Sequence, residues 1–457
     1  MRTGLGSVVV ALAAAAATGV VSPTLALADD GLTFGGGSGH DDVLRPGSPE
    51  SVGMRSRPLR DMVANLTRFT ETRNWTSHSY NQVVPIEPGG VVLVARRGVV
   101  VSHFAFGKSS LWASVNGTHG ELLPRHEQED ASVDTIYDMA SLTKMFTTVA
   151  VLRCLDRGQV GDLNDTVARY LPGFAANGKH EVTLLQLLTH TSGLQADPSP
   201  GLADASTYPT HQAKVDAILG QKLVSEPGTA YLYSDLNFMT LMLVVEAAGG
   251  KKLDAAIGDF TSQLGMRHTF FNRGNVEGAA FPFYRSMAPQ EFQTAVEGDG
   301  PSIPKRPQPV RGTVHDENAW ALDGVSGHAG LFSTAADTAR LCQMLLNNGT
   351  YGGRRVLSRR AVDLVFTNLL GYLGEDHGVG FELNQYYTAG PMANMLAASH
   401  TGFTGTSLVV DRASGTLFVH LANRVHPSRG WASNNIVRET LGAWVATSLG
   451  RDVEFPL

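Results

Sequence analysis

The amino-acid sequence predicts an α/β protein of the α+β type, in which a mixed, mostly antiparallel sheet is flanked by helices and carries a helical lobe. β-Rich runs lie near both ends of the chain, and a mainly helical pattern begins near residue 136. In residues 433–449 the apolar residues recur at helical spacing, which predicts an amphipathic helix. We therefore expect one sheet built from both ends of the chain, with a helical lobe at about 136–300 inserted between them.

The composition is that of a folded globular protein. Of the 457 residues, 43% are apolar and 17% are charged, which excludes a disordered chain. The net charge of −6 leaves no broad basic surface for the phosphates of a nucleic acid. The expected partner is a small molecule or a peptide, including peptidoglycan-derived ones, and no nucleic acid.

The N-terminus has the pattern of a secretory signal peptide. Arg2 precedes the apolar run Val8–Val21, and Ala26-Leu27-Ala28 forms an A-x-A cleavage site. The alternative is a retained anchor, for which the run is only marginally long. We expect cleavage after Ala28, a secreted or extracytoplasmic protein, and no stable membrane span after cleavage.

The mature chain is expected to be one domain, residues 51–457, preceded by a flexible lead-in. Residues 29–50 are rich in Gly, Asp and Ser, which favours a flexible segment. Residues 270–312 are Pro- and Gly-rich, so we expect them to be irregular.

Apolar periodicity and turn residues place the elements. Arg96-Arg97-Gly98 separates two β-rich runs and predicts an antiparallel hairpin. Thr334 and Asp337 predict a capping box at a helix start. The predicted helices cover about 59–69, 145–155, 184–188, 236–248, 335–346 and 433–449, and the predicted strands 91–95, 99–106, 408–411 and 416–423.

The chain has two cysteines, Cys154 and Cys342, which are too few for a disulfide framework. Both lie in apolar helical patterns, so we expect buried free thiols.

The strongest chemical signal is Ser141-Leu142-Thr143-Lys144 before an apolar helix. Positions i and i+3 share a helix face, so Lys144 can reach the Ser141 hydroxyl. A serine needs a base to become nucleophilic, and a buried lysine can serve. The alternative is a capping serine with a surface lysine, because S-x-x-K occurs by chance about once in a chain this long.

A second candidate is Tyr233-Ser234-Asp235, which leads into a predicted helix. A tyrosine hydroxyl beside a lysine ammonium can exist partly as phenolate and shuttle protons. The alternative is a tyrosine and an aspartate in an ordinary turn.

A third candidate is His400-Thr401-Gly402-Phe403, directly before a strand. A glycine-bearing edge strand lets a substrate backbone pair with it. A backbone N–H here can join that of Ser141 in polarising a carbonyl oxygen. The alternative is a Gly-rich turn.

The order S-x-x-K, Y-x-[ND] and [KH]-T-G resembles class C β-lactamases and their low-molecular-weight penicillin-binding relatives. The segments LLTHTSGL at 187–194, VSGHAGLFST at 325–334 and FTGTSLVVD at 403–411 match the family in style. The segments around 314–318 and 423–427 resemble exported bacterial members. The resemblance spans about residues 50–450 and implies a β-lactamase/transpeptidase-like fold.

The resemblance also implies roles for these residues. Ser141 would be acylated, while Lys144 and Tyr233 would deprotonate it and protonate the leaving group. Asp235 would bond Lys144 or the substrate amide. The N–H groups of Ser141 and Phe403 would form the oxyanion hole, and the substrate's far side, often a carboxylate, would lie against His400, Thr401 and Gly402.

Two departures from the family pattern bear on the substrate. His400 replaces the usual lysine, which leaves a charge that depends on pH. Asp235 stands where the family usually has asparagine and adds a negative charge. Both weaken the case for an efficient β-lactamase and leave room for peptidase or esterase activity.

No metal and no cofactor are expected. The chain lacks H-E-x-x-H, G-x-S-x-G, P-loop and dinucleotide fingerprints, and the histidines at 315, 328 and 426 fit structural roles. The sequence thus predicts a serine hydrolase of cell-wall-type peptides, D-amino-acid amides, β-lactams or esters. The alternatives are a penicillin-binding sensor that acylates without turnover, a carboxylesterase, and a purely structural wall protein.

Overall fold

A computed structural model describes residues 43–292 and 306–456 of the chain. The predicted signal peptide, residues 1–28, lies outside the described residues, as does the predicted lead-in up to residue 42. Part of the predicted irregular stretch, residues 293–305, also lies outside them. Among the described residues, none of the helices has the length and apolar character needed to cross a membrane.

The helices follow the predicted periodicity closely, and the six predicted ones are all present. The α-helices of the described residues are α1 Ser56–Thr67, α2 Thr143–Asp156, α3 Val167–Tyr170, α4 Leu184–Leu188, α5 His211–Gly220, α6 Asp235–Gly249, α7 Leu253–Gln263, α8 Glu317–Ala321, α9 Ala335–Leu346, α10 Arg359–Val365, α11 Tyr386–Ala389 and α12 Asn435–Ser448.

The four predicted strands are present, together with short strands that the sequence pattern did not predict. The strands of the described residues are β1 Arg45–Pro46, β2 Arg73–Asn74, β3 Val83–Val84, β4 Gly89–Arg96, β5 Val99–Ser110, β6 Trp112–Asn116, β7 His119–Leu122, β8 Glu129–Asp130, β9 Tyr137–Asp138, β10 Phe270–Phe271, β11 Leu331–Ser333, β12 Thr350–Tyr351, β13 Arg354–Arg355, β14 Glu382–Leu383, β15 Ala397–Thr401, β16 Ser407–Asp411 and β17 Thr416–Ala422.

The main sheet joins the two ends of the chain, as predicted. Its order is β1-β5-β4-β17-β16-β15-β14, and its pairs are antiparallel except for β1 with β5. The β4–β5 hairpin turns through Arg97 and Gly98, which both have positive φ, as a two-residue hairpin loop requires. The β4–β17 pairing then brings the C-terminal strands beside the N-terminal ones.

Both faces of the sheet are covered, which explains why its central strands are apolar throughout. Alternate residues of β4 point to opposite faces: Val91 and Leu93 join the core shared with α2, α6 and α9. Val92 and Val94 join the core formed with α1 and α12. The fold is therefore a mixed sheet between two helical layers. The helical lobe that contains α2 belongs to the layer formed by α2, α6 and α9.

Helix α2 is buried around almost its whole circumference, from Thr143 to Cys154. A helix without a polar face belongs inside a domain, and α2 packs between α6 and α7. This position decides the environment of Lys144 in its first turn, which is fully buried at 0% exposure.

Ordered structure begins earlier than the sequence predicted. Residues 43–50 fall in the predicted flexible lead-in, yet Arg45 pairs in parallel with Val99 and the Leu44 N–H donates to the Tyr351 hydroxyl at 3.2 Å. Backbone hydrogen bonds to β5 hold this segment in place despite its Gly-, Asp- and Ser-rich composition. The prediction of a flexible lead-in is therefore wrong for residues 43–50.

The predicted capping box at α9 is half formed. The Thr334 hydroxyl accepts from the Asp337 N–H at 3.2 Å, as a capping residue should. The Asp337 carboxylate accepts from the His268 N–H at 2.7 Å and thereby ties α9 to the segment before β10. Cys154 and Cys342 are buried free thiols, as predicted.

Candidate active site

The candidate nucleophile lies where β9 passes into α2 through a tight turn. A 3₁₀ turn, Ala140–Leu142, joins the two elements, and Ala140 has φ +45°, a left-handed conformation that costs a non-glycine residue about 1–3 kcal/mol. The Ala140 N–H donates to the Asp138 carboxylate at 2.8 Å, which holds this turn. Ser141 is thereby presented half-buried at the start of α2.

Lys144 contacts Ser141 as the i, i+3 spacing predicted. Its Nζ donates to the Ser141 Oγ at 2.9 Å and to the His328 carbonyl at 3.2 Å. The third contact of Nζ is the Asp235 carboxylate at 2.6 Å. Of the two roles expected for Asp235, the structure thus contains the contact with Lys144.

Tyr233 completes a three-residue centre around the serine oxygen. Its hydroxyl hydrogen-bonds with Ser141, but burial and the nearby charge of Asp235 together raise the pKa of Tyr233 well above 10. Lys144 Nζ lies 4.8 Å from the ring centroid. Tyr233 is therefore a neutral phenol in the resting protein, and the expected partial phenolate is not its resting form.

His190 positions Tyr233, a role that the sequence analysis did not assign. The two ring centroids are 4.6 Å apart, and His190 Nδ1 accepts from the Ser234 N–H at 3.0 Å. Asn237 Nδ2 lies 3.3 Å from the same nitrogen. The sequence signal for this role was the position of His190 inside LLTHTSGL. Its buried contacts with Ser234 and Asn237 hold the segment that carries Tyr233.

Strand β15 ends beside the serine with one edge unpaired. β14 covers it only at Ala398 and Ser399, whereas β16 pairs with it as far as Thr401. Within the described part of the chain, His400 and Thr401 thus have a neighbouring strand on one side only. The sequence analysis placed His400 and Thr401 directly before a strand, whereas they are the last two residues of β15. An edge that is open in this way can take an extended substrate backbone.

His400 is 2% exposed, and its Nδ1 lies 2.7 Å from the Thr401 carbonyl oxygen. A carbonyl only accepts hydrogen bonds, so Nδ1 carries the proton. Burial, together with the charge of Lys144, lowers the pKa of His400 to about 3. The expectation that His400 titrates near neutrality is wrong, because the sequence pattern did not reveal how deeply it is buried.

The turn after β15 is bound directly to the nucleophile segment. The Thr404 hydroxyl donates to the Asp138 carbonyl at 2.7 Å, and the Thr406 hydroxyl donates to the Met139 carbonyl at 3.0 Å. In the part of the chain that the structure describes, the N–H groups of Ser141 and Phe403 have no hydrogen-bond acceptor. Two such N–H groups at neighbouring turns suit a developing oxyanion.

Gly402 allows this close approach, which yields a testable consequence. A Cβ at Gly402 would lie 2.5 Å from the Met139 carbonyl oxygen and would overlap the Thr406 hydroxyl. We expect Gly402→Ala to push the turn away from Ser141 and to lower kcat by at least ~10²-fold, the scale of losing one oxyanion donor.

The matched control for this substitution is Gly258→Ala, because a Cβ at Gly258 meets nothing within 4 Å. Steady-state kinetics and thermal unfolding of the two variants decide the question. Unchanged kcat in Gly402→Ala would contradict a role for this turn in the reaction.

A second group of ionisable residues adjoins Lys144. His328 Nε2 lies 2.9 Å from the Asp316 carboxylate, and atoms of Asp235, Asp316 and His328 fall within 4.8 Å of one another. Burial opposes charge on His328, but Asp316 and Asp235 outweigh it and raise its pKa above 6.5. Burial, with the charges of Asp235 and Asp316, raises the pKa of Asp197 to about 6.

The grouping has the donor types of a metal site, which the sequence did not predict. Its ligand atoms already have partners, however: His328 bonds Asp316, and the Lys144 ammonium lies 2.6 Å from Asp235. The Lys144 ammonium thus takes the position beside the Asp235 carboxylate that a metal ion would need. The sequence analysis missed this group because its members are distant in sequence and come together only in the fold.

A mixed sheet with helices on both faces, and a half-buried serine in contact with a buried lysine and a tyrosine at a strand edge, define a serine hydrolase. The chain belongs to the Beta-lactamase family, whose model matches residues 85–442. The resemblance on which the expected fold rested is thereby confirmed.

Two relatives share the length of the chain as well as the family. "Putative D-alanyl-D-alanine carboxypeptidase" of Escherichia coli (strain K12) is 31% identical over 410 residues, which cover 84% of this chain and 86% of that protein. The protein of the same name from Salmonella typhi is 30% identical, with 84% and 87% covered.

Solved structures share the fold at lower identity. EstCE1, a hydrolase with promiscuous acyltransferase activity, is 22% identical with a TM-score of 0.61, covering 85% of this chain and 99% of its own. A class C β-lactamase is 18% identical with a TM-score of 0.60, covering 86% and 98%. The octameric penicillin-binding protein homologue from Pyrococcus abyssi is 18% identical with a TM-score of 0.60, covering 86% and 78%.

Proposed function

We propose that the chain hydrolyses acyl substrates through a covalent ester on Ser141. The observation that carries the proposal is the 2.9 Å contact between the Lys144 Nζ and the Ser141 Oγ, made by a lysine with no solvent exposure. Burying the Lys144 amine costs free energy of desolvation. A buried amine in contact with a hydroxyl at the start of a helix can activate that hydroxyl as a nucleophile.

Acylation needs a path for two protons. As the Ser141 Oγ attacks the substrate carbonyl carbon, its proton passes to the Tyr233 oxygen, and the Tyr233 phenol proton passes to the leaving group. The neutral phenol found in the resting site suits this exchange. Lys144 stabilises the negative charge that develops on the Ser141 and Tyr233 oxygens, because its Nζ lies 2.9 Å from the Ser141 Oγ and 4.8 Å from the centroid of the Tyr233 ring. Deacylation uses the same path in reverse. As water attacks the ester carbonyl, its proton passes to the Tyr233 oxygen, and the Tyr233 phenol proton passes to the departing Ser141 Oγ.

The N–H groups of Ser141 and Phe403 donate hydrogen bonds to the oxyanion. The Thr404 and Thr406 hydroxyls support this role, because their bonds at 2.7 and 3.0 Å tie the Phe403 turn to the Ser141 turn. The positive end of α2 adds to the same field.

The substrates within reach of this chemistry are cell-wall-type peptides, D-amino-acid amides, β-lactams and esters. The name of the Escherichia coli relative supports a peptide substrate, and the description of EstCE1 as a hydrolase with promiscuous acyltransferase activity supports acyl transfer. We also propose that the protein acts outside the cytoplasm, because residues 1–28 have the pattern of a signal peptide.

A time course of intact mass tests the proposal. A fluorophosphonate should add one adduct to the protein, and peptide mapping should place it on Ser141. With an ester substrate, turnover should continue at a steady rate and should be unchanged by EDTA. A stoichiometric acyl adduct from the ester substrate that never decays would favour the penicillin-binding sensor instead, and no adduct from either reagent would favour a structural wall protein.

A further inference from the structure

Arg438, in the first turn of α12, binds the turn that joins β15 to β16. One terminal nitrogen of its guanidinium donates to the Gly402 carbonyl at 3.1 Å and to the Thr406 carbonyl at 3.0 Å. The other terminal nitrogen donates to the Asn435 side-chain oxygen at 2.7 Å. The same two carbonyls close the turn, because the Gly402 N–H donates to the Thr406 carbonyl at 2.7 Å and the Gly405 N–H donates to the Gly402 carbonyl at 3.0 Å. Arg438 therefore bonds both ends of the turn.

The surroundings of Arg438 make its charge costly. The side chain is 6% exposed. In the described part of the chain its hydrogen-bond partners are neutral oxygens and its Nε has none. Burial, together with the charge of Arg424, lowers the pKa of Arg438 to about 10, so the guanidinium stays charged at neutral pH. A helix dipole disfavours a cation in the first turn, and a buried charge without an opposite charge in contact destabilises a protein, so stability alone does not account for this residue.

The Gly402 carbonyl and the Phe403 N–H belong to one peptide group, which is trans. A trans peptide is planar, so its C=O and N–H bonds point in opposite directions. Because Arg438 holds the Gly402 oxygen toward α12, the Phe403 N–H must point away from α12. Within the described residues this N–H has no acceptor, and it is one of the two groups proposed to bind the oxyanion. A cation on the carbonyl oxygen also polarises the amide and strengthens its N–H as a donor.

Two further side chains hold neighbouring carbonyls of the same turn. Arg424 Nε donates to the carbonyl of residue 403 at 2.9 Å, and Asn434 Nδ2 donates to that of residue 405 at 2.9 Å. Neither carbonyl shares a peptide group with the Phe403 N–H. Of these three side chains, Arg438 is thus the one that acts on the peptide group of the oxyanion donor itself.

We propose that Arg438 is a positioning residue of the reaction, which directs and polarises the Phe403 N–H through the Gly402 carbonyl so that this N–H meets the oxyanion formed at Ser141. The inference rests on the proposed function and adds to it a residue that acts through a peptide group and not on the substrate. The alternative is that Arg438 only stabilises the turn, since the Gly405 N–H already bonds the Gly402 oxygen.

Two esters that differ in one atom separate these roles. The 4-nitrophenyl ester of phenylacetic acid and its thiono analogue, in which sulfur replaces the carbonyl oxygen, release the same phenol. Sulfur accepts hydrogen bonds weakly, so the thiono ester gains little from oxyanion donors. With the wild-type protein, we expect the ratio of kcat/KM for the oxygen ester to that for the thiono ester to exceed the ratio of their rates in alkaline hydrolysis.

In Arg438→Met, kcat/KM for the oxygen ester should fall by ~10-fold or more, which is part of the ~10²-fold effect of losing one oxyanion donor. The thiono ester should lose little, so the ratio of the two esters should fall by ~10-fold. Arg438→Lys keeps the charge but not the forked donors, and its ratio should lie between those of Arg438→Met and the wild type.

The matched control is Arg153→Met, which should leave the ratio of the two esters unchanged. Arg153 is also 6% exposed and donates to a backbone carbonyl, that of Val356 at 3.0 Å. It lies in the last turn of α2, at the opposite end from Ser141. Because both arginines are buried, thermal unfolding is measured for every variant, and Arg438→Lys decides the inference if Arg438→Met does not fold.

The outcomes separate this inference from the proposed function. Equal losses on both esters in the deciding variant, or no loss, overturn the positioning role and leave the serine mechanism standing, as does a wild-type ratio no larger than that of alkaline hydrolysis. Hydrolysis of neither ester above the level of Ser141→Ala overturns the proposed function, and with it this inference. A ratio that falls in the deciding variant but not in Arg153→Met supports both.

Discussion

We expect Ser141→Ala to abolish covalent labelling and to remove nearly all turnover while the protein stays folded. The expected loss in kcat is at least ~10³-fold, because the hydroxyl that is proposed to form the acyl bond is removed, and only binding and the oxyanion donors remain. Stability should change little, since the Ser141 side chain is half-buried at a helix start and Lys144 keeps its contacts with Asp235 and the His328 carbonyl.

The measurement is intact mass after exposure to a fluorophosphonate, with thermal unfolding of the same sample. Ser262→Ala is a suitable control, because Ser262 is an exposed serine of α7 that bonds only the Asp259 carbonyl, at 3.1 Å. This control should label like the wild type. A stoichiometric adduct on folded Ser141→Ala would show that another residue is the nucleophile.

The sequence predicted the fold well because the relevant signals are local. Apolar spacing of 3.6 residues marks α1, α6 and α12, and a two-residue turn marks the β4–β5 hairpin. The short strands β9, β10 and β11 were missed, because two- or three-residue strands have no periodicity to detect. They pair with one another across distant parts of the chain, and β9 leads directly to the nucleophile.

The contact between Ser141 and Lys144 was predictable for the same reason, since one helix turn fixes it. The charge state of His400 was not, because it depends on burial by elements that the local pattern does not specify. The grouping of Asp235, Asp316 and His328 beside Lys144 depends likewise on tertiary packing. Sequence motifs thus predicted the groups that we propose to react, whereas the fold determines which of them carry charge.

The second large effect is expected from Lys144 and Tyr233. Lys144→Ala and Tyr233→Phe should each lower the rate of Ser141 acylation by ~10²-fold or more, as loss of general acid–base catalysis does. Both groups contact the same Ser141 oxygen, and a proton path with one member missing is already broken. The double variant should therefore lose far less than the product of the two single losses.

Lys144→Ala also removes the partner of Asp235, and an unpaired carboxylate beside a buried position destabilises a protein. The acylation rates are therefore measured in the wild-type background and in Asp235→Asn, where that charge is absent, together with thermal unfolding. If Lys144 acts on Ser141 itself, its loss should lower acylation in both backgrounds, and only the loss of stability should diminish in Asp235→Asn. Strictly multiplicative losses for Lys144→Ala and Tyr233→Phe in both backgrounds would mean that the two residues act in separate steps, and the shared proton path would be wrong.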